Sequence, residues 1–437
     1  MLTVLNNSWA LLLGMLLLMI GNGLQGTLLG VRGALEGFDT NTMSWIMAAY
    51  FVGFLGGSRI TPRLIRRVGH VRVFAALGSL VSAAFILYAA FADPIAWAVM
   101  RLLVGFCFSG LYVVAESWLN DSATNETRGQ ALSAYVIMQM LGIVTAQVLV
   151  NFGDPGGYVL FVVMSVLVSI SFAPILLSVS PAPVFQTTKP MGLRDLFRAS
   201  PLGFIGTFFM GAIFSALFGM APVFGTEKGL SVAEISIFVA LIYVGGLVAQ
   251  FPIGWLSDRM DRRRLIFGVT AGGAVAIVGA MLLPSSFAVL SFAAVLIGAV
   301  SNPLYSLLLA YTNDFLDHDG MAAAAGQLMF VNGCGAIIGP FIVGWAMSSF
   351  GADSYFWFIA AMLGAVAIYA LYRMTQRAAP TSDETSTYAA VLPTASPVLV
   401  EVAQEVAIEM ADEASDEGEM PQDGSDPSHQ ELTRLKG

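Results

Sequence analysis

Runs of apolar residues long enough to cross a bilayer, about 20 residues each, recur along the chain, separated by short stretches that hold charge, Pro or Gly. Reading between those breaks predicts twelve spans, at 9–31, 42–60, 73–92, 95–119, 130–151, 157–180, 201–223, 232–256, 265–283, 286–312, 321–349 and 352–373. Each run is continuously apolar, without a two-residue alternation, so the elements are predicted to be helices and not barrel strands.

The pattern also repeats. Moving 193 positions on, Gly105 becomes Gly298, Leu111 and Tyr112 become Leu304 and Tyr305, Asn120 and Asp121 become Asn313 and Asp314, and Gly142 becomes Gly335. The chain therefore reads as two copies of one six-helix unit: an N-terminal half over 1–180, a linker over 181–200 and a C-terminal half over 201–377. Positions where the copies differ are as informative as those where they agree.

Basic residues fall on one set of connections. Arg59, Arg63, Arg66, Arg67, Arg72, Arg128, Lys189, Arg194, Arg198, Arg259, Arg262, Arg263, Arg264, Arg373 and Arg377 lie there, and only Arg32 and Lys228 on the opposite set. By the positive-inside rule both termini are expected in the cytoplasm, which makes this a multi-pass plasma-membrane (bacterial inner-membrane) protein.

Composition changes this picture only at the end of the chain. Hydrophobic residues make up 57% and charged ones 11%, far from the roughly one quarter charged of soluble domains. The net charge of −9 belongs to residues 378–437, where 13 acidic and 2 basic side chains give −11 and leave +2 for the rest. No nucleic-acid partner follows from that acidity. The tail is expected to be an acidic, disordered cytoplasmic segment. Leu399, Val402, Val406 and Met410 do recur at helical spacing, the pattern of a docking helix, but Glu401, Glu405 and Glu409 stack like charges four apart and disfavour it in isolation. The two cysteines, Cys107 and Cys334, both fall inside predicted spans and indicate no disulfide framework. No P-loop, zinc-spaced Cys/His set or nucleophile elbow is present, so neither cofactor nor metal is expected and the chain is not read as an enzyme.

Gly254-Trp-Leu-Ser-Asp258-Arg259-Met-Asp261-Arg262-Arg263-Arg264, which closes the eighth span, resembles the cytoplasmic loop signature of the major facilitator superfamily. The first-half copy, Pro62 to Arg72, keeps Gly69 and the basic residues Arg66 and Arg67 but lacks the leading glycine and the acid. Arg101, followed by Gly105 and Ser109-Gly110, resembles the family's fourth-helix signature. The resemblance implies an all-α membrane protein of the MFS fold, with twelve transmembrane helices in two pseudo-symmetric six-helix halves and the site at their interface. It implies a small-molecule substrate, the lipid bilayer as surroundings and a monomer. In the family such loops gate the cytoplasmic side, so Gly254, Asp258, Arg259, Arg262, Asp314, Asp121, Arg66 and Arg67 are the candidate gate. The alternative is charge that only sets topology. Glu-Ser-Trp-Leu-Asn at 116–120 and Pro-Leu-Tyr-Ser-Leu at 303–307 are similar to a poorly characterised bacterial branch of transporters, which names no substrate.

Charge inside a span is costly and marks a functional path by default. Arg101 and Glu116 share the fourth span, fifteen positions apart, which is roughly 22 Å along a helix and excludes direct pairing. In related transporters the arginine is linked to proton movement; a structural ion pair or snorkelling to the headgroups is the competing reading. Glu116 has Leu309 as its repeat partner, so the shared scaffold does not require it, and a carboxyl in a partly dry site suits reversible protonation. Pairing with Arg66 or Arg67 is its bland alternative.

In the resembling family helices 1, 4, 7 and 10 line the path, and here they offer Asn22, Gln25, Ser109, Tyr112, Asn302 and Tyr305 against Phe209, Phe214 and Phe218. That mixture suits a small, neutral or modestly polar solute held by hydrogen bonds against aromatic walls. Gly335-Ala-Ile-Ile-Gly339-Pro340 on the eleventh span resembles the family antiporters' Gly-Pro motif, which those carry on helix 5; the fifth span here, Gly142 to Gln147, has none. The expected function is a secondary transporter of a small organic solute, with alternating access and possible coupling to protons. A multidrug-type efflux antiporter and a non-transporting sensor acting through the acidic tail are the alternatives.

Overall fold

A computed structural model describes residues 2–122, 125–177, 191–284 and 286–376, together with 388, 390–396, 399–400, 402–403 and 405–406 of the tail. The first half contains α1 (Leu2–Leu35), α2 (Thr40–Val68), α3 (His70–Ala90), α4 (Pro94–Ser122), α5 (Asn125–Leu149) and α6 (Val159–Leu177). A short helix, α7 (Leu193–Ala199), precedes the second half. There the seventh span is α8 (Pro201–Ser215), a π-helical turn at Ala216–Met220 and α9 (Ala221–Glu227). It is followed by α10 (Val232–Ser257), α11 (Arg262–Met281), α12 (Phe287–Asn313), α13 (His318–Phe350) and α14 (Ser354–Gln376). No strand occurs among the described residues. Eleven helices are long and apolar enough to cross a membrane, and α2 completes the twelve, its hydropathy lowered by Arg59, Arg63, Arg66 and Arg67 at one end.

The helices overrun the apolar runs that predict them because their ends are capped by polar residues outside those runs. Asp39 accepts from the Thr42 amide to start α2, and Ser231 with Glu234 forms a reciprocal capping box on α10. Of the expected linker, the stretch before residue 191 lies outside the described residues, and the remainder is largely α7.

The sequence repeat is a repeat of helix contacts. A Cβ on Gly105 would meet the Tyr50 carbonyl, and one on Gly53 the Leu102 carbonyl; in the second half Gly298 stands against Ile242 and Gly245 against Val295. Residues on α4 map to α12 at an offset of 193, whereas those on α2 map to α10 at 192. The same shift recurs where Gly142 meets Leu16 and Gly335 meets Phe208. One residue has therefore been gained between the second and fourth helices of the unit, and the close backbone approach survived it. Glycine is needed because lipid supplies no hydrophobic drive between helices, and close packing takes its place.

The halves meet most firmly at the face opposite the basic loops. Thr40 donates to Glu227, Asn151 Nδ2 to Ser236 Oγ at 2.9 Å and Ser348 Oγ to Asn41 Oδ1 at 3.3 Å, while Gly344 packs on Ser44 and Gly30 on Pro222. Toward the basic face α2 and α13 stay together, with Arg59 over the Phe330 ring at 4.0 Å.

The contact repeat gives a test. Gly105→Val or Gly298→Val should lower the melting temperature of the purified protein, since overpacking a tight contact costs typically about 1–3 kcal/mol. Gly268→Val on α11, where an added Cβ meets nothing within 4 Å, should leave it unchanged.

Candidate functional site

The fourth helix carries two separate polar constellations. Arg101 is fully buried. Its Nη1 donates to Gln25 Oε1 at 3.0 Å and its Nη2 to Met47 Sδ at 3.1 Å, and the guanidinium lies 4.9 Å from the Tyr50 ring centroid. Gln25 in turn donates to Tyr88 Oη at 3.0 Å. Neither a structural ion pair nor snorkelling describes this residue: among the described residues no carboxylate pairs with it, and its side chain is buried inside the protein. An amide, a thioether and an aromatic face take the place of an anion. Its Nε finds no partner.

Asn22 donates to Tyr112 Oη at 3.5 Å, and Tyr112 points its hydroxyl at Met19 Sδ, 3.4 Å away. Around this pair stand aromatics from both halves. Tyr50 lies 5.3 Å from Phe218, Phe51 6.1 Å from Phe214, and Phe54 6.1 Å from Tyr112. Phe214 and Phe218 stack at 5.8 Å across the start of the π turn, whose extra residue sets both rings toward α2. A cavity of about 20 Å³ between α2, α8 and α13 is lined by Tyr50, Phe51, Phe54, Phe214, Met329 and Asn332, among others.

The α2 and α13 members of this lining were not among the sequence candidates. The aromatic run at 50, 51 and 54 and the amide Asn332 within an apolar span are the signals that mark them. Of the predicted path residues, Ser109 packs against Gly57 of α2, and Tyr305 is buried. The Asn302 amide donates to the backbone oxygens of Ile242 and Gly298 at 3.4 and 3.3 Å, so it is occupied in joining α10 to α12.

Glu116 is 1% exposed. Its Oε1 accepts from Tyr135 Oη at 3.0 Å and its Oε2 from the backbone N–H of Ser396 at 2.8 Å. The pairing with Arg66 or Arg67 weighed from sequence does not form: both arginines are exposed on the far end of α2. The partner is instead a residue of the tail, 280 positions away.

The tail residues that the structure describes are packed into the cleft between the halves, so solvated disorder does not describe them. Tyr388 N–H donates to Asp258 Oδ1 at 2.8 Å, Val391 exchanges two hydrogen bonds with the Ser306 hydroxyl at 2.9 and 3.0 Å, and Asn332 Nδ2 reaches Pro393 O at 3.5 Å. Burial pushes the Tyr388 phenol above its ordinary range. Further on, residues 399–400, 402–403 and 405–406 are helical, with Leu399, Val402 and Val406 buried against α4 and α5 as their spacing predicts. Arg128 of α5 pairs with Glu405 at 2.8 Å. Met410 lies outside the described residues.

The predicted gate residues form a knot within the second half. Arg262, with a side chain 2% exposed, pairs with the equally buried Asp314, donates to Ser257 Oγ at 2.9 Å and reaches Asp258 at 3.3 Å. It thus ties the end of α10 and the start of α11 to the end of α12. Asp261 caps α11. Burial pushes its carboxyl up, but hydrogen bonds from the Arg263 side chain and backbone, with the charges of Arg263 and Arg264, outweigh that and hold it below the usual range. Arg259 lies over the Trp255 ring at 4.4 Å. Gly254 faces Tyr388. The side chain of Asp121 lies outside the described residues, and His70, 192 positions before Arg262, is buried 6.4 Å from Trp118. The ionic links thus lock one half internally, and across the basic face the tail adds its links to the α2–α13 contact of Arg59 with Phe330.

Removing one member of the buried pair strands the other. Arg262→Ala or Asp314→Ala should destabilise the purified protein by roughly 3–5 kcal/mol, read as a lowered melting temperature, whereas Arg259→Ala should change it little. The Asp261 contribution should be present above the ordinary carboxylate range and fade as pH falls through its depressed value.

Comparison with known proteins fits this geometry. The sequence profile of the Major Facilitator Superfamily matches residues 11–241 and 203–401. The chain is 26% identical over 359 residues to the Uncharacterized MFS-type transporter YcaD of Escherichia fergusonii, covering 80% of this chain and 92% of that protein. Its Salmonella arizonae counterpart is 25% identical over 360 residues with the same coverage. Among solved structures, the nucleoside transporter NupG superposes with a TM-score of 0.69 at 14% identity, over 85% of this chain and 100% of that one. A bacterial homolog of the human lysosomal transporter Spinster, inward-facing and unoccupied, superposes at 0.65 with 15% identity, over 93% and 98%.

Proposed function

The chain belongs to the Major Facilitator Superfamily of membrane transporters, and from that premise we propose that it is a proton-coupled secondary transporter of a small, neutral or modestly polar organic solute. The observation that carries this reading is the constellation at the mid-depth of the halves. The Asn332 amide borders a cavity walled by Tyr50, Phe51, Phe54 and Phe214, and the hydrogen-bonded pair of Asn22 with Tyr112 lies behind the Phe54 ring, a mixture that orients a solute by a few polar contacts against apolar walls.

The basic loops lie in the cytoplasm by the positive-inside rule. The closed face is then external, and the basic face is where solute would enter or leave. Rocking of the halves about the contact of α2 with α13 would exchange the two openings. Glu116 is the proton-coupling carboxyl in this reading. It is buried, has no ion-pair partner among the described residues, and borders the cleft. Arg101, held by neutral groups, keeps a permanent positive charge on the external side of the path and opposes proton leakage through it. The protein acts as a monomer of two halves.

Proteoliposomes containing the purified protein, screened by external pH change against sugars, nucleosides, amino acids, organic acids and cationic drugs, test this. The expected result is a proton flux with one solute class that Glu116→Gln abolishes, because the amide cannot take up and release the proton. Solute flux that persists in Glu116→Gln with its proton coupling intact would remove Glu116 from the mechanism.

A further inference from the structure

The tail crosses from one half to the other through the cleft that a solute would use. Tyr388, Val391 and Pro393 bind groups of α10, α12 and α13 in the second half, while Ser396, Val406 and Glu405 bind α4 and α5 in the first. Val391, Ala395, Ser396 and Leu399 are each at most 2% exposed. Between them the chain turns, with the Ala395 amide donating to the Leu392 carbonyl at 2.9 Å around Pro393. This turn puts Pro393 and Thr394 into the lining of the central cavity beside Tyr50, Phe51 and Phe214.

The contacts are of the kind a solute would make. Glu116 accepts a hydrogen bond from an N–H, Ser306 both donates and accepts, and Asn332 donates to a carbonyl. All are made to the tail's main chain, so they read an amide shape and not a particular side chain. Side-chain specificity comes from the apolar row Leu399, Val402 and Val406 and from the Arg128–Glu405 pair. The acidic glutamate of the row faces the basic α5 end, so charge and apolar spacing fix the same register.

We propose that the described tail residues between 388 and 406 are a tethered plug, which seats in the cleft from the basic face, occupies the Asn332 amide of the cavity lining and is anchored on Glu116. The proposal rests on the transport reading for what the cleft is, but not for the seating itself. Because plug and body are one chain, their encounter does not depend on protein concentration, and local unseating is what opens the path. Glu116 then has two competing partners, the Ser396 amide and whatever crosses the path, which links solute entry to release of the tail. Ser396→Pro removes the N–H that Glu116 receives without touching the transmembrane body.

Thiol accessibility in the full chain tests this without any solute, so its failure is distinct from a failure of the transport reading. In a Cys107→Ala, Cys334→Ser background, Asn332→Cys places a thiol beneath Pro393, and labelling by a bulky water-soluble maleimide is timed. Labelling is expected to be slow in the otherwise unchanged chain. Glu116→Ala and Ser396→Pro should each accelerate it by about tenfold or more, the scale of one hydrogen bond to a charged group. Together they should give no more than either alone, because both break the same contact. Ala146→Cys, buried between α1 and α5, should stay unreactive throughout. Fast labelling of Asn332→Cys in the unchanged chain overturns the plug. An unchanged rate in the Ser396→Pro protein, whose membrane helices are untouched, overturns the anchoring on Glu116.

Discussion

A carboxyl and a guanidinium held inside one apolar helix set the terms for much of what surrounds them. Burying either without compensation costs several kcal/mol, and each is compensated in its own way. Arg101 is surrounded by Gln25, Met47 and the Tyr50 ring, which draws α1 and α2 onto α4. Glu116 receives the Tyr135 hydroxyl and the Ser396 amide, which draws in α5 and then the tail. The fourth helix is thus the hub through which the first half, the cavity wall and the C-terminal segment are joined. Its repeat counterpart, α12, has Leu309 where Glu116 stands and receives the tail through Ser306 instead. The asymmetry between the halves is therefore chemical as well as historical.

The two faces of the molecule are held by different means. On the side away from the basic loops the halves bond directly, through Thr40 with Glu227 and Asn151 with Ser236. On the basic side, the buried Arg262–Asp314 pair fastens helices of one half to each other. Away from the α2–α13 contact, where Arg59 lies over Phe330, the space between the halves there is taken by a peptide segment that bonds to both. A direct closure can open only by rocking the halves, whereas a closure made by a tethered segment can also open by its departure.

Much of the fold was legible in the sequence because the bilayer demands long apolar runs and tight helix contacts demand glycine. The twelve spans and the repeat of Gly105 in Gly298 are direct records of those demands. The π turn at 216–220 was not legible, since Ala-Leu-Phe-Gly-Met departs in no way from an ordinary apolar helix. The site was legible in part. Arg101, Glu116, Asn22 and Tyr112 declare themselves as polar groups in apolar runs, but their partners do not, because contacts such as that of Glu116 with Ser396 join positions with no shared periodicity. Asn302 reads as a path residue and is spent on backbone carbonyls. The tail misled through composition: its acidity dominates the average, while the short stretch that packs, Tyr388 to Val406, is largely apolar. The helical spacing of Leu399, Val402 and Val406 was the signal, and Glu405 counted against it only while Arg128 was not seen beside it.

The contacts opposite the basic loops hold the halves together while the tail keeps the basic ends of α5 and α10 apart. The most direct measurement is the distance between spin labels at Ser133 on α5 and Arg259 beyond α10, both exposed, in the whole chain and in one lacking residues 388–437. The account predicts one long-distance population in the whole chain and a new, shorter one when the tail is gone. Identical distributions in the two proteins would contradict it.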